Sequence, residues 1–220
     1  MRIPYDSSGV IGRQYIALGP EIVAAILLTL QSGWAVANID ASTAAAGEVE
    51  ITERLRDGMR SALNTGRLPW SKSLIVALGM ESRSTSATTT PDGRTDIPVY
   101  VVEVFLRYGE HDPHGIVECK RLDGADTRLC REYVVEGVDR FGTGKYAENH
   151  AVGFMAAYLL RGDAAEAAGG VNAYFSRVYR TGEQLAASDL IDDPSFWRSA
   201  HQRPHPRPPI ELHHALLATV

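Results

Sequence analysis

Residues 94–122, with the sequence RTDIPVYVVEVFLRYGEHDPHGIVECKRL, give the clearest indication of the fold. Residues 97–108 and 116–122 are rich in β-branched and aromatic side chains, which favours strands, and a turn-rich break at residues 109–115 separates them. A tight return at that break lays the second strand antiparallel to the first. With a further apolar strand predicted over residues 73–80, these segments indicate a three-stranded meander.

A carboxylate and an ammonium group, those of Glu118 and Lys120, lie in the second of these strands. Side chains two apart on a strand share a face, so both project to one side while Cys119 points to the other. The apolar Ile116-Val117 lead-in indicates a mostly buried strand, where an unpaired charge is costly. We therefore expect this face to line an open cleft or a compensating ion. The alternative is a surface ion pair, worth at most about 1 kcal/mol.

Asp96 opens the preceding strand, and antiparallel pairing would bring its carboxylate towards that of Glu118. Such oxygens suit Mg²⁺, which takes one or two carboxylates and fills its other positions with water and phosphate oxygens. The metal would lower the pKa of a bound water, while Lys120 orients the nucleophile or stabilises the transition state. Glu103 is the alternative ligand, but it lies an odd number of residues from Asp96 and reaches the same face only through a β-bulge near Pro98.

Hydrophobic spacing predicts further elements on both sides of this core. The expected helices cover residues 43–63, 129–141, 147–160 and 164–180. Residues 201–209 form a proline-rich arm and residues 210–220 a terminal strand, whereas the apolar run at residues 20–30 suits either a helix or a strand. This order predicts an α/β fold in which helices flank a mixed central sheet.

Composition narrows the class of protein. The chain has 220 residues, of which 45% are hydrophobic and 22% charged, enough for one good core. Its formal net charge of -5 excludes a global basic field, so any nucleic-acid-binding surface must be local. Cys119 and Cys130 form no CxxC pair and predict neither a disulfide framework nor a zinc cluster. The most apolar window, residues 22–30, is shorter than the roughly 20 residues that span a bilayer, so we expect a cytoplasmic protein.

Seven histidines invite a metal interpretation, which the spacing does not support. His201 and His205 lie in the proline-rich arm, and His213 and His214 are adjacent on the predicted terminal strand. Adjacent strand residues point to opposite faces, so His213 and His214 cannot bind one ion together. We expect structural or partner-contacting roles for these side chains.

Thr95-Asp96, followed 22 residues after the aspartate by Glu118-Cys119-Lys120, resembles the PD-(D/E)XK nuclease superfamily, which includes many restriction enzymes and defence nucleases. Thr95 stands where the motif nominally has proline. The resemblance covers residues 45–160 and implies a restriction endonuclease-like core, in which a helix, three or four strands and a further helix follow one another.

The same resemblance implies a role for each residue of the motif. Asp96 and Glu118 would be metal ligands and catalytic residues, and Lys120 the catalytic lysine. A carboxylate on the first helix would be an auxiliary ligand and catalytic helper, with Glu53 the better candidate and Glu50 the second. Mg²⁺ would be the cofactor, and Mn²⁺ could substitute for it.

A second segment, residues 133–147 with the sequence YVVEGVDRFGTGKYA, resembles a block found in bacterial nuclease-like proteins encoded beside defence ATPases. That resemblance would bring Arg140 and Lys145 near the substrate backbone. Together with Arg121, which directly follows the motif, they could form a local phosphate-facing patch, although solvated positions would suit all three equally well.

The sequence as a whole predicts a Mg²⁺-dependent endonuclease that hydrolyses DNA in bacterial antiviral defence, with no membrane partner. Residues 1–44 would decorate a nuclease-like domain at residues 45–220. Target choice would come from a second copy of the chain, a co-encoded ATPase or a sensor protein. The alternative is a non-catalytic assembly or binding subunit that keeps the fold and docks a partner through its proline-rich arm or apolar N-terminal segment.

Overall fold

The computed structural model of the chain describes residues 16–39, 47–79, 81–82, 93–108, 113–205 and 207–219. Its strands are β1 (Leu74–Val76), β2 (Glu81–Ser82), β3 (Gly93–Arg94), β4 (Ile97–Val101), β5 (Gly115–Leu122), β6 (Val152–Leu159), β7 (Ala186–Ala187), β8 (Phe196–His201) and β9 (Ile210–Ala218). Its helices are α1 (Pro20–Ala37), α2 (Glu48–Asn64), α3 (Val102–Tyr108), α4 (Thr127–Tyr133), α5 (Asp139–Gly142) and α6 (Ala164–Arg177), with a π-helix at Val134–Val138 and a 3-10 turn at Thr181–Glu183.

Seven of these strands form one mixed sheet in the order β1-β4-β5-β6-β9-β8-β7, and β2 pairs with β3 separately. β4 is antiparallel to both β1 and β5. β5, β6 and β9 are parallel to one another at the centre, and β8 and β7 complete the far side with antiparallel pairing. The expected α/β fold with a mixed sheet flanked by helices is confirmed.

Two hydrophobic cores lie on opposite faces of this sheet. The first joins α1 and α2 to alternate strand residues such as Val117, Cys119 and Tyr158. The second joins α4, the π-helix, α5 and α6 to the intervening strand residues, including Ile116 and Met155. Because both faces are covered, the central strand β6 is buried along its whole length.

α1 belongs to the first core. By length and composition it could cross a membrane, but half of its apolar window is buried inside the protein. Trp34 stacks on Tyr158 of β6 with ring centroids 5.4 Å apart, and its Nε1 donates to the Ala218 carbonyl at 2.6 Å. The described part of residues 1–44 therefore packs against the sheet, while residues 1–15 and 40–44 lie outside the described chain.

The helix predicted over residues 147–160 is wrong, since this segment contains strand β6. The run VGFMAAYL is apolar at nearly every position, which suits a strand buried on both faces as well as a buried helix. Hydrophobic spacing cannot distinguish the two. Burial by two helical layers is what makes this segment a strand.

The strand predicted over residues 97–108 is correct only to Val101, after which the chain turns into α3. On the β5 side, the pairing of β4 ends at Val99, and Val101 N–H donates to a side-chain atom, His114 Nδ1. On the β1 side, Val102 N–H still donates to the Ser73 carbonyl. Glu103 lies in the first turn of α3 and not on a strand, which removes the β-bulge argument for it as the alternative ligand.

Other predicted elements are confirmed with shifted ends. α2 lies within the helix expected at residues 43–63 except for its last residue, Asn64, and α6 lies within the helix expected at residues 164–180. β9 is the expected terminal strand. The stripe at residues 129–141 is helical as α4, the π-helix and α5. Strands β7 and β8 were missed, because neither shows a clear alternation of apolar and polar residues. The loop expected over residues 81–93 lies outside the described chain except at its paired ends.

The histidines of β9 point to opposite faces, as expected. His213 packs against Phe154 in the first core, with ring centroids 6.0 Å apart, whereas His214 bonds Tyr133 in the second. The proline-rich arm is held by the buried Arg203, whose guanidinium donates to three backbone carbonyls. These contacts fix the two histidines and the arm within the fold.

A chain of buried polar side chains joins the sheet to the helices on its second face. Tyr133 at the end of α4 lies 2.7 Å from His214 Nδ1, and His214 Nε2 lies 2.8 Å from Ser199 Oγ on β8. Ser199 Oγ lies 2.7 Å from His201 Nε2, and His201 Nδ1 lies 2.5 Å from Glu183 Oε2. All but Glu183 are buried, so their hydrogen bonds must be made within the chain.

The charged end of this polar chain sets the direction of its hydrogen bonds. Burial alone would raise the pKa of Glu183, but hydrogen bonds from Arg180 and His201 outweigh it and lower the pKa. Glu183 is therefore a carboxylate and accepts the Nδ1 hydrogen of His201. Burial lowers the pKa of His201 and of His214, which leaves both rings neutral with one donor each. Ser199 therefore donates to His201 and accepts from His214 Nε2, and Tyr133 donates to His214 Nδ1.

Arg180 links the same polar chain to the segment after the π-helix. Its guanidinium donates to both carboxylate oxygens of Glu183, at 2.9 and 2.7 Å, and pairs with Asp139 at 2.8 Å. Asp139 is the first residue of α5 and directly precedes Arg140. The polar chain thus fixes α5 against the sheet.

We expect His201 and His214 to be opposite tautomers. Above pH 6.5, the ordinary histidine pKa, both rings should be neutral, with the hydrogen on Nδ1 of His201 and on Nε2 of His214, because their neighbours leave no other consistent pattern. The ¹⁵N chemical shifts of the two rings report this directly, with His201→Gln and His214→Gln as assignments. Two charged rings, or the same tautomer at both positions, would contradict the proposed order of donors.

Two glycines allow α1 and α2 to approach each other closely. A Cβ at Gly58 would lie 2.2 Å from the Gly33 carbonyl oxygen, and a Cβ at Gly33 would lie 2.6 Å from the Met59 nitrogen. These are backbone atoms, so a small rotation of a side chain cannot relieve the overlap. The two helices must therefore separate to admit a larger residue.

We expect Gly58→Ala to lower the free energy of unfolding by about 2 kcal/mol, because overpacking forces the helix pair apart. Gly169→Ala is the matched control, since a Cβ at this exposed position of α6 meets no atom within 4 Å. The control should be neutral or stabilising by up to about 1 kcal/mol, the helix preference of alanine over glycine. Chemical denaturation of both variants measures the difference, and equal stabilities would refute the close-contact argument.

Candidate active site

β5 extends beyond the strand that pairs with its outer edge. β4 pairs only with residues 115–117, whereas β6 pairs with β5 from Val117 to Leu122 on the other side. Along the last residues of β5, side chains replace a neighbouring strand. Asp96 Oδ2 accepts the Cys119 N–H at 2.7 Å, and Glu48 Oε2 accepts the Arg121 N–H at 3.2 Å. The backbone N–H groups at this edge therefore hold the Asp96 and Glu48 carboxylates beside β5.

Lys120 joins these carboxylates to Glu118. Its Nζ lies 3.0 Å from Glu118 Oε1, 3.0 Å from Glu48 Oε1 and 2.9 Å from the Cys119 carbonyl oxygen. Glu118 is fully buried, and the Lys120 side chain is 10% exposed. The ammonium group is therefore held between the strand and the first residue of α2.

Arg140 closes the site from α5. Its Nη1 donates to Glu118 Oε1 at 2.5 Å and to the Tyr146 hydroxyl at 3.2 Å. Its guanidinium carbon also lies 5.5 Å from the centre of the Tyr146 ring. The Tyr146 hydroxyl in turn donates to the Arg94 carbonyl at 2.8 Å. Gly137 of the π-helix lies over Lys120 and Met155, where a Cβ would meet the methionine Cε at 2.6 Å.

The two oxygens of Glu118 differ in their surroundings. Oε1 accepts from both Lys120 and Arg140, whereas Oε2 is buried and has no hydrogen-bond partner within the described part of the chain. A buried carboxylate oxygen without a donor is costly, so this atom is available to a ligand. It is the strongest local sign that the site binds something.

Burial dominates the electrostatics of the carboxyl groups. Burial and the nearby Asp96 charge raise the pKa of Glu118 to about 7, although Lys120 and Arg140 oppose this shift. Burial also raises the pKa of Asp96, against the N–H donated by Cys119. For Lys120, burial alone would lower the pKa, but the carboxylates of Glu118 and Glu48 outweigh it and raise the pKa. Lys120 is therefore an ammonium group at neutral pH.

The donor set suits a hard divalent cation. Glu48 of α2, Asp96 just before β4 and Glu118 of β5 supply carboxylate oxygens, and Oε2 of Glu118 has no donor in the part of the chain that the structure describes. Within the described residues no three such side chains already converge on one point. Lys120 stands between Glu48 and Glu118, which accounts for their separation. A cation at this position would have to attract the carboxylates away from the two bound basic groups.

The structure brings together three of the four expected catalytic residues, Asp96, Glu118 and Lys120. Glu53 has a different environment: its carboxylate pairs with Arg56 one turn along α2 and is 44% exposed. Glu48, at the start of the same helix, is the α2 carboxylate that contacts Lys120 and the Arg121 N–H. Its acidic place in the first helical turn was the only sequence signal for it.

The three residues expected to face phosphate, Arg121, Arg140 and Lys145, have different environments. Arg140 directly contacts Glu118, which its place in the sequence did not indicate. Arg121 has its backbone at the site and a half-buried side chain whose Nε has no hydrogen-bond partner in the described chain. Lys145 is half-buried in the turn between α5 and Tyr146. Tyr146 itself was missed, because an aromatic residue after a glycine-rich turn carries no distinctive signal.

Comparison of the chain with protein-family models, curated proteins and solved structures finds no match in any of the three.

We expect the Glu118 carboxyl group to titrate with an apparent pKa of about 7 in the metal-free protein. Because this value is above the ordinary 4.5, the stability that Glu118 contributes is fully present below pH 4.5 and is lost as the pH rises through about 7. Carboxyl ¹³C NMR, with Glu118→Gln to assign the resonance, measures the pKa. Lys120→Met should raise it further, and a midpoint near 4.5 would disprove the burial argument.

Proposed function

We propose that this chain is a metal-dependent nuclease of the PD-(D/E)XK type that hydrolyses phosphodiester bonds of DNA. The observation that carries the proposal is the meeting of Asp96 and Glu118 with Lys120 at the free edge of β5. In support, Glu118 and Lys120 share one face of the strand, and Asp96 directly precedes the adjacent strand.

The order of elements around this site supports the same proposal. α2 is followed by β1, β4 and β5, which pair antiparallel in sequence, then by the helical segment from α4 to α5 and by β6, parallel to β5. A helix, three strands and a further helix are what the resemblance to restriction endonuclease-like cores implies. Within this order Asp96 directly precedes β4, and Glu118 and Lys120 lie on β5.

Asp96 and Glu118 would hold Mg²⁺ or Mn²⁺, and Glu48 takes the helper position expected of Glu53. Bound there, the metal would supply a low-pKa water and positive charge beside a phosphate. Lys120 remains protonated, so it acts as a hydrogen-bond donor and positive charge and not as a general base. From its position it would orient the attacking water and stabilise charge that develops on the phosphate oxygens.

The substrate side of the site is basic despite the acidic total charge. Arg140 and Lys145 follow one another around the turn that also holds Tyr146, and Arg121 continues β5 beyond the motif. These residues would contact the phosphate backbone, which carries no sequence information by itself. Target choice would then come from a second copy or a partner such as an ATPase or sensor, in a cytoplasmic bacterial defence setting.

A plasmid cleavage assay tests this function. With Mg²⁺ or Mn²⁺ the protein should cut DNA, and EDTA should stop it. Asp96→Asn, Glu118→Gln and Lys120→Met should each lower the rate about a hundredfold or more, since each removes charge at the reacting phosphate. RNA of matching sequence reports whether the substrate is restricted to DNA.

Two glutamates of α2 provide the sharpest control. Glu48→Gln should lower the rate at least about tenfold, whereas Glu53→Gln should leave it unchanged. Of these two glutamates, Glu48 contacts Lys120 and Glu53 pairs with Arg56 instead. Thermal unfolding of each variant separates lost folding from lost chemistry. If the folded protein shows no cleavage in either metal, even with its co-encoded proteins, the chain is a non-catalytic assembly subunit instead.

A further inference from the structure

We infer that Arg140 is a displaceable latch on the candidate site: an approaching phosphodiester draws its guanidinium away from Glu118, and the freed carboxylate oxygen then binds the divalent cation. The inference rests on the proposed nuclease function and concerns its regulation by substrate. Its starting point is that one oxygen, Glu118 Oε1, accepts from two basic groups at once.

Lys120 and Arg140 are held with unequal firmness. Lys120 lies on β5, bonds two carboxylates and a backbone carbonyl, and is 10% exposed. Arg140 lies on the four-residue helix α5, is 26% exposed, and reaches Glu118 through a single nitrogen that it shares with Tyr146. Arg140 is therefore the group that can leave without breaking the strand.

A position for the released guanidinium already exists beside the site. Arg140 Nη2 lies 3.8 Å from Glu136 Oε2, one turn earlier on the π-helix, and Glu136 is 56% exposed. The Tyr146 ring provides a second surface for the guanidinium. A guanidinium binds phosphate through two parallel hydrogen bonds, whereas it gives Glu118 only one. Phosphate is thus the better partner for Arg140.

Competition between two cations explains why release would matter. A divalent cation and the Arg140 guanidinium both draw on the Glu118 carboxylate. Oε2 has no hydrogen-bond partner within the described chain, but a cation that is held by both carboxylate oxygens must displace Arg140 from Oε1. With Arg140 in place, the three carboxylates face two fixed positive charges, which weakens their attraction for a metal. Withdrawing Arg140 onto phosphate restores that attraction. By linkage, substrate and metal then each strengthen the binding of the other.

Mn²⁺ binding to the folded protein, followed by electron paramagnetic resonance, tests the latch without any cleavage readout. Without DNA, Arg140→Gln should bind Mn²⁺ about tenfold more tightly than the unaltered chain, because a competing charge is gone. Arg140→Lys keeps the charge and should lie between them. The control is Arg198→Gln on β8, which removes an arginine that pairs with Asp189. It should bind Mn²⁺ as tightly as the unaltered chain does.

Adding a short phosphorothioate duplex, which resists hydrolysis, completes the test. The duplex should tighten Mn²⁺ binding by a larger factor in the unaltered chain than in Arg140→Gln, since only the former has a latch to release. Equal or weaker Mn²⁺ binding by Arg140→Gln without DNA overturns the latch, and if plasmid cleavage persists the nuclease proposal survives it. Failure of the unaltered chain to bind Mn²⁺ with or without the duplex overturns both.

Discussion

The free outer edge of β5 is the constraint on which this structure depends. β4 pairs with β5 only as far as Val117 of β5. β5 then continues for five residues into the protein interior, where its backbone groups must be satisfied. Asp96 accepts the Cys119 N–H, Glu48 accepts the Arg121 N–H, and Lys120 donates to the Cys119 carbonyl. Completing a strand edge with charged side chains is what assembles the site.

This solution concentrates charge in a place with little water. Glu118 has one oxygen shared by two basic groups and another that finds no donor among the residues the structure describes, so the cluster is held together but not satisfied. Its raised pKa expresses the same imbalance. In the proposed nuclease, a divalent cation would be the partner that Glu118 Oε2 lacks within the described chain, because its charge is compact and its remaining positions can take water or phosphate oxygens.

The second helical layer positions Arg140 over that cluster. The polar chain from Tyr133 to Glu183 and the Arg180 to Asp139 ion pair hold the start of α5 against the sheet. Because the polar chain and the site are attached to neighbouring residues of one short helix, the geometry at Glu118 depends on contacts well away from it. The first layer, with α1 and α2 in close contact at Gly33 and Gly58, supplies Glu48.

Local patterns in the chain were enough to predict the α/β class and the helices α2 and α6. They also grouped Glu118 with Lys120 through the two-residue period of a strand, and Asp96 with both through antiparallel pairing of adjacent strands. Long-range packing makes β6 a strand, replaces the end of β4 by α3, and brings Glu48 and not Glu53 to Lys120. Each of these depends on which surfaces cover a segment or on how a helix end meets a strand edge. Such contacts join residues far apart in the chain, where hydrophobic spacing carries no information.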